Sequence, residues 1–507
     1  MHDQNLVIPW DDLAESLPLD WIAGSRWFRR KSERIAAVRF LDGAVVEASD
    51  PAAKPVSLLV LVEVALAGGE TDIYLMPLAL DPPGTPARPD AFRTAAGRQF
   101  NQALDLPSLH TSLARRMHTG EDLESLRGRF VFEAFPFHGD RQCRPLAETS
   151  SNSLVLIKGD VALKYYRRAE RGISPELEMN RYFAEHGGFT RLPQLTGSVR
   201  YLGRDGLELT VAMAQAFVEN EGDLWAWTQD YLKGILSEAV TAGFGSPEPF
   251  FLERSRAYFD GCARLGGILA QMHQVLAEGR GGPNFTPEPI GPADLAEMAT
   301  RMREGSGAIF RKIAALPSGG HPVVARFLED CPRLQGEVDR AFGCLTRLNP
   351  AGWQRTRVHG DFHLGQVLKA RDDFYLMDFE GEPLKQEAQR VAKYSPFKDV
   401  AGICRSYNYA VYAALFDFTA AQPLPEDACR EFEQALLAWN GAAEAALRRG
   451  YEAESGQPIA GDLAILLELL KLEKAVYELD YEINNRPAWL PIPVSGITAC
   501  LKEIFHE

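Results

Sequence analysis

Two short segments hold the residues best suited to chemistry. The first is Val358-His359-Gly360-Asp361-Phe362-His363-Leu364-Gly365-Gln366-Val367-Leu368. The second is Phe374-Tyr375-Leu376-Met377-Asp378-Phe379-Glu380-Gly381-Glu382-Pro383. Asp361 follows a glycine in a loop, and Gln366 lies further along the same segment. A turn through Arg371-Asp372-Asp373 then leads to a short strand, Tyr375 to Met377, which delivers Asp378 at its end. A hairpin brings its two ends together, so Asp361, Gln366 and Asp378 can share one site. Oxygen donors of this kind suit a hard cation such as Mg²⁺. A carboxylate near an acceptor hydroxyl, with oxygen ligands for Mg²⁺ on phosphates, is what phosphoryl transfer requires of a protein. Taken singly, His-Gly-Asp is ordinary turn chemistry and an Asp after a strand is a cap or a surface group. Both together, in this order and spacing, favour the chemical reading.

Phosphoryl transfer also needs a grip on the nucleotide, and the sequence supplies candidates upstream. Lys164 sits in the apolar strand Val161 to Tyr166, and Glu178 lies in the helix that follows. A strand lysine paired with a helix glutamate holds phosphates in kinases. A half-buried lysine needs such a partner, although a strand-edge lysine can also snorkel to water. No GxGxxG precedes it; Ser150-Ser151-Asn152-Ser153 stands there instead. Small polar residues between strands can turn amides and hydroxyls toward phosphate oxygens.

The elements that must position these groups follow from patterning. Residues 1–125 read as one unit, with strand-like runs Ala36 to Leu41, Val56 to Leu66 and Asp72 to Leu78. Gly68-Gly69 suggests a hairpin turn between the last two, and a Pro-rich stretch at 81–86 breaks regular structure. Strands are expected over Phe130 to Phe135, Leu154 to Ile157, Val161 to Tyr166, Leu195 to Tyr201 and Leu207 to Ala212. A helix capped by Ser174 and stopped at Gly187-Gly188 interrupts them. From about Gly222 the pattern is helical, over 255–279, 323–347, 399–416, 427–449 and 460–485. The 507 residues carry a net charge of −15, which disfavours nucleic acid and anionic membrane as partners. Seven scattered cysteines form no CxxC pair, and no apolar run is long enough to span a membrane. The N-terminus has no signal-peptide pattern, so the cytoplasm is the expected location.

With these residues in view, the sequence resembles the bacterial maltokinases, within the aminoglycoside-phosphotransferase and protein-kinase-like superfamily. HGDFHLGQ (359–366) and MDFEGEP (377–383) carry the resemblance. RWF (26–28), SSNS (150–153), LKYYR (163–167), SPELEMNR (174–181), QAFVENEGDLW (215–225), SPFKDVAGICRS (395–406) and EKAVYELDYEINNRPAW (473–489) extend it over nearly the whole chain. The resemblance implies an α+β, bilobal protein-kinase-like fold. In it a cap subdomain (1–125) precedes a strand-rich N-lobe (126–218), and a mainly helical C-lobe (219–507) carries the catalytic loop and acceptor site. It implies ATP-dependent phosphorylation of maltose at the anomeric hydroxyl. Asp361 is then the catalytic base, Gln366 and Asp378 the Mg²⁺ ligands, and Glu380 a further candidate ligand. Lys164 and Glu178 form the phosphate grip, Ser151, Asn152 and Ser153 the phosphate loop. The segment Met213 to Val218, with Gln215, Phe217 and Val218, is the hinge that reads adenine.

Lys474, Tyr477, Glu478 and Tyr481 fall on one face of the last long helix, at i, i+3, i+4 and i+7. The resemblance places the sugar there, with His363 and Arg405 as secondary contacts. The competing reading is a helix packed by its tyrosines, with Lys474 and Glu478 as a surface ion pair. Two further functions fit the same motifs: an amino-sugar (glucosamine) kinase, and a non-catalytic partner of trehalose synthase, with which such proteins occur in complex or fused. A protein kinase is disfavoured, since no Gly-rich loop and no activation segment ending in APE are present.

Overall fold

A computed structural model describes residues 8–28, 30–47, 54–86, 88, 90–134, 143–145, 152–157, 161–243, 247–316, 322–382 and 385–505. The chain divides into two compact units. One holds Met1–Glu185 and Pro193–Val218, the other His186–Leu192 and Glu219–Glu507.

The first unit is built on two antiparallel sheets. Strands Ile35–Glu47, Val56–Leu66 and Thr71–Leu80 lead the first sheet, joined by Gln99–Gln102, Phe92–Arg93 and Arg168–Ala169. The second runs, in spatial order, Leu123–Glu124, Gly128–Ala134, Leu195–Gly203, Glu208–Ala216, Val161–Tyr166, Asn152–Ile157, Cys143–Pro145. The unbroken apolar run of Val56–Leu66 has a physical cause: both of its faces are covered. Leu59 and Leu61 face a core shared with Phe130, Leu163 and Val199 of the second sheet. Their neighbours Leu58, Val60 and Val62 face Leu13, Ile22, Trp27 and Phe28 from the N-terminal segment. Burying each such side chain contributes about 1.5–3 kcal/mol, so this twice-covered strand anchors the unit. The turn at Gly68-Gly69 forms as the sequence suggests, with Gly69 at φ +90°.

In the first unit one long helix escaped the sequence pattern. Helix Pro107–Thr119 packs Leu109, Leu113 and Met117 into the shared core and ends at Gly120 with φ +67°. Those three side chains are its whole apolar stripe, set among His110, Arg115, Arg116 and His118, so the helical period is faint.

The second unit is helical where the periodicity indicates: Arg256–Leu276, Pro322–Gly343, Phe397–Ala421, Glu426–Ser455 and Asp462–Asn485. Leu224–Ala242, Pro292–Ala314 and Pro491–Phe505 are added to them. The expected hairpin is present as Val367–Ala370 and Asp373–Leu376, turning at Arg371 with φ +53°. No helix among the described residues is long and apolar enough to cross a membrane.

Helices Arg256–Leu276 and Glu426–Ser455 touch backbone to backbone. A Cβ on Gly450 would lie 1.7 Å from the Ala263 carbonyl oxygen, whereas one on Gly441 of the same helix meets nothing within 4 Å. Gly450→Ala is therefore expected to force the helices apart and cost roughly 1–3 kcal/mol. Gly441→Ala should instead stabilise by about 0.5–1 kcal/mol through helix propensity. Thermal melts of the two variants check this; equal melting temperatures would contradict the close crossing.

Candidate active site

In the second unit, the loop bearing Asp361 is held by one buried carboxylate. Asp399, in the first turn of Phe397–Ala421, accepts the backbone N–H of His359 (2.8 Å) and of Gly360 (2.9 Å). His273 Nε2 lies 3.1 Å from the same carboxylate, and its Nδ1 lies 3.0 Å from the Tyr451 hydroxyl. Burial pushes the Asp399 carboxyl up, but the hydrogen bonds and the nearby His273 and His359 outweigh it and hold its pKa below the ordinary value. The same helix presses on the loop from below. A Cβ at Gly402 would sit 2.5 Å from the Phe362 carbonyl oxygen, so only glycine permits this approach.

His359 ties the loop to the second segment. Its Nε2 lies 2.9 Å from the Met377 carbonyl, an acceptor only, so Nε2 carries the proton. Its ring packs between Phe362 and Phe379. The hairpin then does what its spacing predicts. Gln366 Nε2 donates to Asp378 Oδ2 at 3.3 Å, and the Met377 N–H bonds the Gln366 carbonyl. Asp378 adopts φ +65°, a conformation that costs a non-glycine residue of order 1–3 kcal/mol and clusters at functional sites. The donor set of Asp378, Glu380 and the Gln366 carboxamide oxygen is all hard oxygen, which fits Mg²⁺. His363 Nδ1 accepts the Gly365 N–H, and burial lowers its pKa against the opposing pull of Asp361.

Asp361 opens onto a cavity of about 300 Å³, whose wall includes Lys474 and Tyr477. Lys474 Nζ donates to Asp361 Oδ1 at 3.3 Å and sits over the Tyr477 ring. Burial lowers the Lys474 pKa, but Asp361, Glu382 and Glu478 reverse the shift and keep it protonated. The expected sugar contacts Arg405, Glu478 and Tyr481 do not line the cavity. Arg405 is 2% exposed; its Nε and NH2 donate to Glu478 Oε2 and its NH1 to Asn408. Glu478 is thus turned from the cavity toward Arg405 on the neighbouring helix. Tyr481 shares the stripe of Tyr477 but lies one turn further on, 45% exposed and outside the cavity wall.

In the first unit, Lys164 stands on the strand Val161–Tyr166, between Asn152–Ile157 and Glu208–Ala216. A carboxylate other than the expected Glu178 meets it. Lys164 Nζ donates to Glu176 Oε2 at 2.7 Å, and the Tyr166 hydroxyl donates to the same oxygen at 2.6 Å. Helical phase favours Glu176: at 100° per residue, two positions carry Glu178 about 200° round the helix. Glu176 is 2% exposed, and Asn180, one turn on, reaches Gln215. Gln215 Nε2 also bonds the Pro193 carbonyl, while Ala216 N–H bonds Gln194. Phe217 and Val218 follow the strand end without regular structure. Ser153 is a buried strand residue opposite Tyr165. Ser151 and the Asn152 side chain lie outside the described residues.

Comparison with known proteins adds what the chain is similar to. Residues 21–99 match the maltokinase N-terminal cap domain. That part of the chain is similar to the cap of maltokinases. Among curated relatives, a glucosamine kinase from Streptacidiphilus jiangxiensis is 26% identical over 405 residues, 78% of this chain and 80% of that protein. A glucosamine kinase from Mycolicibacterium smegmatis is 23% identical over 377 residues, 74% and 84% of the two chains. A solved glucosamine kinase in complex with glucosamine, ADP and inorganic phosphate superposes with a TM-score of 0.62 at 21% identity, covering 95% of this chain and 98% of its own. A second crystal form reaches 0.65 over 97% and 100%. The chain therefore has the α+β kinase-like fold of these structures.

The sequence assigned no role to Glu176, Asp399 or Glu382. Each sits inside a quoted motif, at 174–181, 395–406 and 377–383, yet nothing in those strings says which acid turns inward. Asp399→Ala is expected to leave two buried N–H groups without an acceptor, at about 1–3 kcal/mol each. Because its pKa is lowered in the folded state, the Asp399 contribution is complete at neutral pH and fades only as pH falls below about 4. The deficit in melting temperature of Asp399→Ala against the native protein should accordingly hold from pH 7 to 5 and shrink beneath that. A deficit that grows on acidification would refute the assignment.

Proposed function

We propose that the chain is an ATP-dependent sugar kinase that phosphorylates a neutral sugar, maltose, at its anomeric hydroxyl. The observation that carries the reading is the Asp361 carboxylate, opening onto a closed-in cavity and paired there with Lys474.

Asp361 orients the acceptor hydroxyl and takes its proton as the phosphoryl group arrives. Lys474 keeps that carboxylate in place, and Tyr477 offers an aromatic face beside it. Asp399 and His359 hold the loop so that the base does not have to be reorganised during reaction. Lys164, fixed by Glu176, neutralises nucleotide phosphate charge. Mg²⁺, when held by Asp378 with Gln366 and Glu380, supplies charge neutralisation on the phosphates.

The choice of a neutral acceptor rests on the cavity wall. Arg301, Lys385, Lys398 and Lys474 face Asp361, Glu382 and Glu473 there, so cations match or exceed acids. Such a wall offers an ammonium group no unspent carboxylate. Glucosamine, the substrate named for the curated relatives, is the second reading.

ADP release with Mg-ATP, measured with maltose, glucose, glucosamine and no sugar, decides between them. Turnover should depend on maltose, and Asp361→Asn should lower kcat by about 10²–10⁴. Turnover with glucosamine alone would discard the acceptor while keeping the base. A separate pair tests the nucleotide grip: Glu176→Gln should raise KM for ATP and lower kcat by roughly tenfold or more, and Glu178→Gln should change neither by more than a few-fold. The reverse order would restore Glu178 as the partner.

A further inference from the structure

Glu382 occupies an unusual position for a carboxylate in a sugar cavity. It lies four residues after Asp378, lines the same cavity as Asp361, and its side chain is 12% exposed. Lys385 Nζ is 3.0 Å and Lys398 Nζ 3.5 Å from Glu382 Oε1. Lys398 is itself fixed: its Nζ lies 4.3 Å over the Tyr394 ring and 4.0 Å from where a Gly360 Cβ would stand. Burial depresses its pKa, with Lys385 adding to the effect and Glu382 and Asp399 opposing it. On the opposite wall Arg301 is matched with Glu473 at 2.5 Å.

We propose that the Lys385–Glu382–Lys398 clamp is the specificity determinant of the acceptor cavity. It presents a carboxylate that can accept hydrogen bonds from sugar hydroxyls but is already neutralised against an incoming ammonium group. This rests on the neutral-acceptor reading above and names the residues that enforce it. Specificity of this kind is a difference of affinities, obtained by removing the attraction a wrong substrate would use. An amino sugar entering the native cavity meets two fixed lysines where it needs one free carboxylate. Replacing either lysine by an uncharged chain of similar length leaves Glu382 partly unmatched, and the cavity then gains affinity for a cationic sugar.

The test compares kcat/KM for maltose and for glucosamine in the native enzyme, Lys385→Met, Lys398→Met, and Lys385→Met combined with Glu382→Gln. Each lysine variant should raise the glucosamine-to-maltose ratio by about tenfold or more, the scale of one close charge pair. The combined variant should return the ratio to the native value, an outcome that loosened packing alone would not produce. Lys385 is 32% exposed, so its replacement keeps the test open if the buried Lys398→Met fails to fold. An unchanged ratio in Lys385→Met with maltose turnover retained overturns the clamp. Native turnover on glucosamine in preference to maltose overturns the neutral-acceptor reading itself, and that result is visible before any variant is made.

Discussion

The candidate active site depends on a carboxylate buried behind it. Asp399 is buried, and its two oxygens take the N–H groups of His359 and Gly360, the residues immediately before the proposed base. A loop that turns at Gly360 with φ +88° cannot satisfy those donors by regular pairing. The helix that carries Asp399 supplies the acceptor and, through Gly402, lies close enough to support the loop directly. His359 then passes the constraint on to Met377, the residue before Asp378. One buried hydrogen-bond network thus fixes both acid-bearing segments.

The cavity beside Asp361 shows the same economy of charge. Its acids are matched by cations: Asp361 by Lys474, Glu382 by Lys385 and Lys398, Glu473 by Arg301. Buried or half-buried charges persist only when paired. Here the pairing has a functional consequence, because it decides what electrostatic invitation the cavity extends. Arg405 and Glu478 obey the same rule behind the wall, where their mutual pairing supports the helix bearing Lys474 and Tyr477.

In the first unit the constraint is apolar. Strands Val56–Leu66 and Thr71–Leu80 bury both faces, one against the N-terminal segment and one against the sheet that holds Lys164. The chain also returns, through Arg168–Ala169, to pair with Thr71–Leu80 only a few residues after Lys164. The matched cap domain and the lysine strand are therefore parts of one packed body.

Much of this was legible in the residues alone. The hairpin joining Gln366 to Asp378 follows from its turn and its length, and local pairing realises it with Val367 opposite Leu376. The long helices and the doubly buried strands follow from the spacing of apolar residues, which is set by local geometry. Which acid answers Lys164 was not legible, since Glu176 and Glu178 both fit the string and only the helix phase against the sheet selects Glu176. The faint helix Pro107–Thr119 exists because a core assembled from distant strands rewards three side chains. Arg405 and Glu478 read as sugar contacts until two helices, 73 residues apart in sequence, turn them toward each other. Sequence determined the elements and the candidate catalytic groups, because those depend on neighbours along the chain. Tertiary structure alone decided which charges are spent on one another, because pairing depends on distance in space.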